Sequence, residues 1–277
     1  MFVTKDVDEK FIGNFMKKKH PALSQLIGKP ETSYLYFSSA DFQALINTIA
    51  AVTDSAGIPA VGLRIYFASY TTTGVPAINN LVNAGYNNLL TLIFVPTGDK
   101  DGAGNYNDLG SQYFMIDPVN GGVISFSQAD AVILRNNYLN NKRPLLQQII
   151  TDAGAGASVR ETVSLWIAIT AFTDAARGFL SEMNCQGAKG ITAYISSHGK
   201  GDVFPDGTNT PIDWQLSLVF CLATQITYTD GKTYTYHFDI DDTSDYTHRE
   251  TLPASRTKGG GDTLNPCPPA TVNCSNP

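Results

Sequence analysis

The chain has 277 residues and only four cysteines, Cys185, Cys221, Cys267 and Cys274, none spaced as CxxC. Zinc ribbons and thioredoxin-like redox centres need that spacing, so neither is expected. Reduced thiols are the default, although Cys267 and Cys274 flank Pro268-Pro269 closely enough to bridge under oxidation. Long apolar runs are missing too. No window approaches a membrane span, and Met1-Phe2-Val3-Thr4-Lys5-Asp6 has neither the basic start nor the apolar stretch of a leader. A cytoplasmic chain without membrane contact is the expectation. Basic charge is scarce, with 19 Lys and Arg against 25 Asp and Glu and a net charge of -6. Nucleic-acid affinity rests on clustered cations, so no nucleic-acid partner is expected. The one compact basic run, Lys17-Lys18-Lys19-His20, reads as a solvated helix end. There is no phosphate-cradling loop, no HExxH and no Gly-x-Ser-x-Gly, and no cofactor is expected.

What the chain does have is self-similarity. Residues 14 to 27, NFMKKKHPALSQLI, lie over residues 137 to 150, NYLNNKRPLLQQII. In the same order, Glu31-Thr32 through Phe42 meets Glu161-Thr162 through Phe172, after seven extra residues around Ala153 to Ala157. Gly62 to Tyr66 meets Gly190 to Tyr194, Leu90 to Phe94 meets Leu216 to Phe220, and Phe114 to Asp117 meets Phe238 to Asp241. Five collinear blocks imply two tandem copies, over 1–121 and 122–253, followed by a Gly/Pro/Cys-containing tail over 254–277 that lacks an apolar period.

Each copy reads as helix, strand, helix and three strands. The first helix opens at Thr4 or Ser127 and ends before Pro21 or Pro144. The second follows Ser38-Ser39, with Phe42, Leu45, Ile46 and Ile49 forming one apolar stripe. Val61, Leu63, Ile65 and Phe67 alternate with Gly62, Arg64, Tyr66 and Ala68, the period of a strand. Asp-Gly pairs at Asp101-Gly102 and Asp230-Gly231 suit hairpin turns between the last two strands. The expected fold is α+β, two four-stranded, mostly antiparallel or mixed sheets with helices on one face of each; strand order is not readable. Matching insertions at 71 to 88 and 199 to 213 are natural contact surfaces. Most of the thirteen tyrosines fit strands.

The pieces Asn14-Phe15, Gly62-Leu63-Arg64-Ile65-Tyr66 and Asp99-Lys100-Asp101-Gly102 resemble a group of bacterial proteins that share a Gly-x-Arg-x-Tyr strand. The second copy carries a weaker set with Thr192 in place of Arg64. This resemblance implies the architecture and no activity.

Two chemical candidates compete with scaffold roles. His198-Gly199 after one strand and Cys221 in the next follow the order of a caspase-like thiol hydrolase, in which imidazole generates a thiolate. Cys221 lacks the Gly-rich turn and the Gln-Ala-Cys-x-Gly signature, and the repeat places Tyr70 at His198 and Val95 at Cys221. Calcium ligands are offered by Asp99, Asp101, Asn105, Asn107 and Asp108, and by Asp239, Asp241, Asp242, Asp245 and His248. Their spacing departs from an EF-hand loop, and hairpin chemistry accounts for the first group. The favoured expectation is a non-enzymatic binding or assembly protein. Its two copies form an internal pseudo-dimer, and the insertions meet a protein partner or another copy.

Overall fold

The computed structural model describes residues 5–53, 57–72, 74–100, 106–109, 113–186, 188–203, 211–227 and 233–237. Thr4, the hairpin at 229–232, and the calcium candidates Asp101, Asn105, Asp239, Asp241, Asp242, Asp245 and His248 lie outside the described residues. So do Cys267 and Cys274.

The chain opens with α1 (Lys5–Asn14), which does not stop at Pro21 as predicted. It runs through a π-helical turn, Phe15–Lys19, into α2 (His20–Ile27). The His20 amide reaches back five residues to the Phe15 carbonyl. That wider turn makes room for a proline ring that would break a regular α-helix. The same device recurs downstream, where α5 (Gln128–Asn137) passes through π-helical Tyr138–Lys142 into α6 (Arg143–Asp152), with Pro144 in its first turn. Ser127 caps α5 by accepting from the Asp130 amide, and Ser38 caps α3 (Ser39–Ala50) by accepting from Asp41.

The strands are β1 (Tyr34–Ser38), β2 (Gly62–Ser69), β3 (Leu90–Lys100), β4 (Tyr106–Asp108), β5 (Tyr113–Ile116), β6 (Val123–Phe126), β7 (Ser164–Ala168), β8 (Gly190–Ser197), β9 (Leu216–Thr227) and β10 (Thr233–His237). A long helix, α7 (Ile169–Gln186), follows β7. The fold is α+β with two antiparallel sheets, ordered β1-β8-β9-β10 and β6-β5-β3-β2-β7, with β4 paired to β3.

One sheet therefore has six strands rather than four. Each sheet also takes edge strands from the other half of the chain, β1 in the four-stranded sheet and β6 and β7 in the six-stranded one. β1 lies on β8, with Tyr34 opposite Tyr194 and Ser38 opposite Gly190. β7 lies on β2, with Ser164 opposite Tyr66 and Ala168 opposite Gly62. The register is the same in both. The central pairs also agree, Gly62 with Thr97 through Ser69 with Leu90 in one sheet and Gly190 with Ala223 through Ser197 with Leu216 in the other.

Helices cover both faces of the sheets, not one. The inner faces share a core in which Phe37 of β1 meets Phe94 of β3 and Phe42 of α3 meets Phe172 of α7. The predicted stripe Phe42, Leu45, Ile46 and Ile49 is buried there. The outer face of the six-stranded sheet is covered by Ala131 and Leu134 of α5. Over the same face fold Pro76–Ile78, α4 (Asn79–Leu81) and Val82–Tyr86. The predicted insertion at 71 to 88 thus buries Val75, Ile78 and Leu81 rather than standing open. On the outer face of the four-stranded sheet, Phe11, Ile12 and Met16 pack on Tyr194, Val219 and Cys221.

The halves are tied by two buried ion pairs. Lys19 donates to Glu161, and Lys142 donates to Glu31. In each glutamate the other oxygen accepts two backbone amides. Those of Thr32 and Leu90 bond Glu31, and those of Thr162 and Leu216 bond Glu161. Pairing both carboxylate oxygens is what allows a charge to sit in a low-dielectric interior. The Lys17-Lys18-Lys19-His20 run is thus no solvated helix end, because Lys19 is fully buried.

Candidate functional site

The Gly-x-Arg-x-Tyr strand proves to be a clamp. A side chain on Gly62 would collide with Trp166, whose indole donates to Thr97 Oγ1 at 3.0 Å and stacks on Tyr106 at 4.0 Å. Arg64 donates to Asp108, to the Tyr66 hydroxyl and to the Tyr106 carbonyl oxygen. The Tyr66 hydroxyl donates to Asp108 Oδ2 at 2.8 Å. These bonds strap β4 onto the sheet. Burial, then the charge of Asp108, pushes the Tyr113 phenol up to about 12. The guanidinium of Arg135 lies 3.6 Å from the centre of the Tyr66 ring.

The same places in the four-stranded sheet hold different chemistry. Gly190 is again a seat, here for Tyr36 and the Phe37 carbonyl. Thr192 stands where Arg64 does, Ser196 where Ala68 does and His198 where Tyr70 does. Tyr70 is satisfied by Thr91, whose hydroxyl donates to it at 3.1 Å. By contrast, Thr192 Oγ1, Ser196 Oγ, His198 Nδ1 and Trp214 Nε1 are buried with no hydrogen-bond partner among the described residues. Asn87 Oδ1 and Arg135 Nε, beside the six-stranded sheet, are unpaired as well. Buried polar atoms are nearly always paired, so the run of orphans at β8 and the turn that holds Trp214 points to a missing ligand or water. Thr192 lies six positions along β8 from His198, about 20 Å at 3.3 Å per residue, so the group at one end is Ser196, His198 and Trp214.

Trp214 is also strained. Its φ is 60°, a left-handed conformation that costs bulky residues of order 1–3 kcal/mol. Asn88, two residues before Leu90 as Trp214 is before Leu216, has φ 63° and is a residue that tolerates it. Lys18 Nζ sits 4.6 Å from the Trp214 ring centre. The Trp214 carbonyl accepts from Ser197 Oγ at 2.8 Å, and His198 donates its amide to the Gln215 carbonyl. Edge-on contact with Phe11 at 4.9 Å covers the imidazole. Its Nδ1 is 3.8 Å from Asp202 Oδ2, too far for a hydrogen bond. Burial pushes the His198 pKa below its ordinary value, while Asp202 opposes that and Lys19 and Lys10 reinforce it. Asp202 already accepts the Gly199 amide at 2.6 Å and pairs with Lys10 at 3.5 Å, and Asp213 accepts the Gly201 amide at 2.6 Å.

Comparison with family models, curated proteins and solved structures finds no match.

The thiol-hydrolase pair is not assembled. Cys221 is buried opposite Thr192, about 20 Å along β8 from His198, with Ile12 packed over it. Nor do the described calcium candidates converge. Asp99 and Asn107 are exposed, and both oxygens of Asp108 are taken by Arg64 and Tyr66. No three His, Cys, Asp or Glu among the described residues are placed to hold a metal ion. Among them, too, no helix is long and apolar enough to cross a membrane.

The sequence pattern offers His198 only as half of a thiol-hydrolase pair and does not single out Trp214. A signal was present, since the aligned blocks set Trp214 against Asn88 in an Asn-Asn turn. The predicted insertion at 199 to 213 does border this site, through Gly199 and Asp202, with 204–210 outside the described residues.

Proposed function

We propose that this chain is a non-enzymatic binding protein, built by internal duplication as a pseudo-dimer, with the His198–Trp214 end of the four-stranded sheet as its contact face. The observation that carries the contact face is the contrast between equivalent positions. Tyr70 and Asn88 serve the fold without orphaned atoms or strain, whereas His198 and Trp214 bring both. A feature that costs stability in one sheet and is dispensable in the other has a use outside the fold.

The pseudo-dimer is supported by the reciprocal Lys19–Glu161 and Lys142–Glu31 pairs, the repeated strand registers and the paired π-helical turns. Exchange of an element between identical protomers is a known route to symmetric dimers, and fusing two such protomers would yield this topology. The hydroxyl of Ser196 is fully buried, and among the described residues no base is in hydrogen-bond reach of it, so binding suits the site better than covalent catalysis.

Copurification of the tagged full chain from its native cell, followed by mass spectrometry, tests the reading. Recovery of a partner by the parent but not by a folded Trp214→Ala variant is expected. No partner, or one retained equally by the variant, would refute the contact face. For the pseudo-dimer, fragments 1–121 and 122–277 produced together should copurify, since each lacks an edge strand that the other carries. Two fragments that fold as separate monomers would exclude it.

A further inference from the structure

Resting on that contact face, we infer that the His198–Trp214 end of the sheet holds an oxyanion, the carboxylate or phosphate group of whatever docks there. The unsatisfied atoms are hydrogen-bond donors or can become so: the indole N–H of Trp214, the hydroxyl of Ser196 and the Nδ1 of His198. An indole N–H only donates, so its missing partner must be an acceptor. Ser196 is in β8 and His198 directly follows that strand, two residues and about 7 Å further along the chain. Of the carboxylates in the described part of the loop, Asp202 already serves the Gly199 amide and Lys10, and Asp213 serves the Gly201 amide.

Charge agrees with this donor set. Lys18 lies on the Trp214 ring, Lys10 borders Gly199, and Lys17 and Lys200 are exposed nearby in sequence. Lys17 and Lys18 align with Asn140 and Asn141, while Lys10, one turn before Asn14, matches Ile133 before Asn137. Asn14 and Asn137 fix that correspondence, since they donate to the carbonyls of Ser197 and Ser69. The positive charge belongs to one sheet and not to the repeated frame. Phe11, edge-on to the imidazole, shields the site from water and so strengthens a charged hydrogen bond made there.

Tryptophan emission reads the site directly, because the chain has two tryptophans and only Trp214 is in it. The full-length protein is titrated with inorganic phosphate and with succinate, against sodium chloride at matched ionic strength. The expected result is a saturable emission change with at least one oxyanion, absent with chloride and absent in Trp214→Phe, where Trp166 alone reports. Phosphate alone points to a phosphoryl group on the natural ligand, and succinate alone to a carboxylate. His198→Gln should weaken the response about tenfold, the effect of losing one charge-assisted hydrogen bond. Lys18→Gln changes an exposed residue and should weaken it several-fold even if the His198 variant fails to fold. A change that follows ionic strength whatever the anion, or that persists in Trp214→Phe, overturns the oxyanion site. Failure of the contact face itself shows separately, as a copurified partner indifferent to Trp214→Ala.

Discussion

Trp214 and Asn88 share one left-handed backbone conformation, at φ 60° and 63°, in the turns that lead into β9 and β3. Asparagine accepts that geometry cheaply and tryptophan does not. Truncating a well-packed tryptophan ordinarily costs about 3–5 kcal/mol. Here the indole is only half-buried, and release of strain returns of order 1–3 kcal/mol. Trp214→Asn should therefore leave the urea midpoint within the equivalent of about 1 kcal/mol of the parent, while abolishing the response to oxyanions. A loss of several kcal/mol would make Trp214 a core residue and remove the strain argument.

The ion pairs across the two halves make a sharper demand. Lys19→Met leaves Glu161 charged and buried without its cation, which costs about 3–5 kcal/mol. Adding Glu161→Gln removes the charge, yet keeps an oxygen to accept the amides of Thr162 and Leu216. The double variant should be more stable than Lys19→Met alone by about 1–3 kcal/mol, and Lys142→Met with Glu31→Gln should behave likewise. Denaturant unfolding of the four proteins checks this. Equal midpoints for single and double variants would mean that water reaches the pair.

Gly62 and Gly190 occupy equivalent places but press on different neighbours. A methyl on Gly62 meets the Trp166 side chain, whereas one on Gly190 meets the Phe37 carbonyl of the paired strand as well as Tyr36. A side chain can be removed and a backbone carbonyl cannot. Adding Trp166→Ala should recover about 1–2 kcal/mol of the overpacking cost of Gly62→Ala, while Tyr36→Ala should not rescue Gly190→Ala. Thermal unfolding of the single and double variants decides it, and full rescue at Gly190 would show that β1 gives way.

Much of this arrangement was open to reading from residue pattern alone. The stripe Phe42, Leu45, Ile46 and Ile49 marked a packed helix, and the aligned blocks marked positions that share a register, such as Leu90 with Leu216. Exchange of β1 and β7 was not legible, because an edge strand such as Tyr34–Ser38 carries the same local pattern whichever sheet it joins. Lys19 and Lys142 with Glu31 and Glu161 were visible as matched pairs, but a lysine run beside a proline looks like any solvated helix end. The proposed contact face is not legible in the sequence for a related reason. Substitutions such as Ala68 to Ser196 and Tyr70 to His198 are unremarkable until the hydrogen-bond partners are counted in three dimensions.

His198 ties stability to pH in a direction that its surroundings determine. Burial is the largest influence and lowers its folded-state pKa below the ordinary 6.5; Asp202 on the adjoining loop opposes this, and Lys10 and Lys19 on the overlying helix add to it. The unfolded chain thus binds this proton more readily than the folded one. Stability from this group is unchanged well above pH 6.5 and falls as pH drops through 6.5 toward the lower folded value. The slope from one such group is at most about 1.4 kcal/mol per pH unit. His198→Gln should flatten the acid limb of the parent's stability profile between about pH 5 and 7, where histidine titrates. A bound oxyanion stabilises the imidazolium and should flatten the same limb in the parent, leaving the slope of the His198→Gln limb unchanged. An acid limb that is identical in parent and variant, with and without phosphate, would place the imidazole in water rather than beneath Phe11.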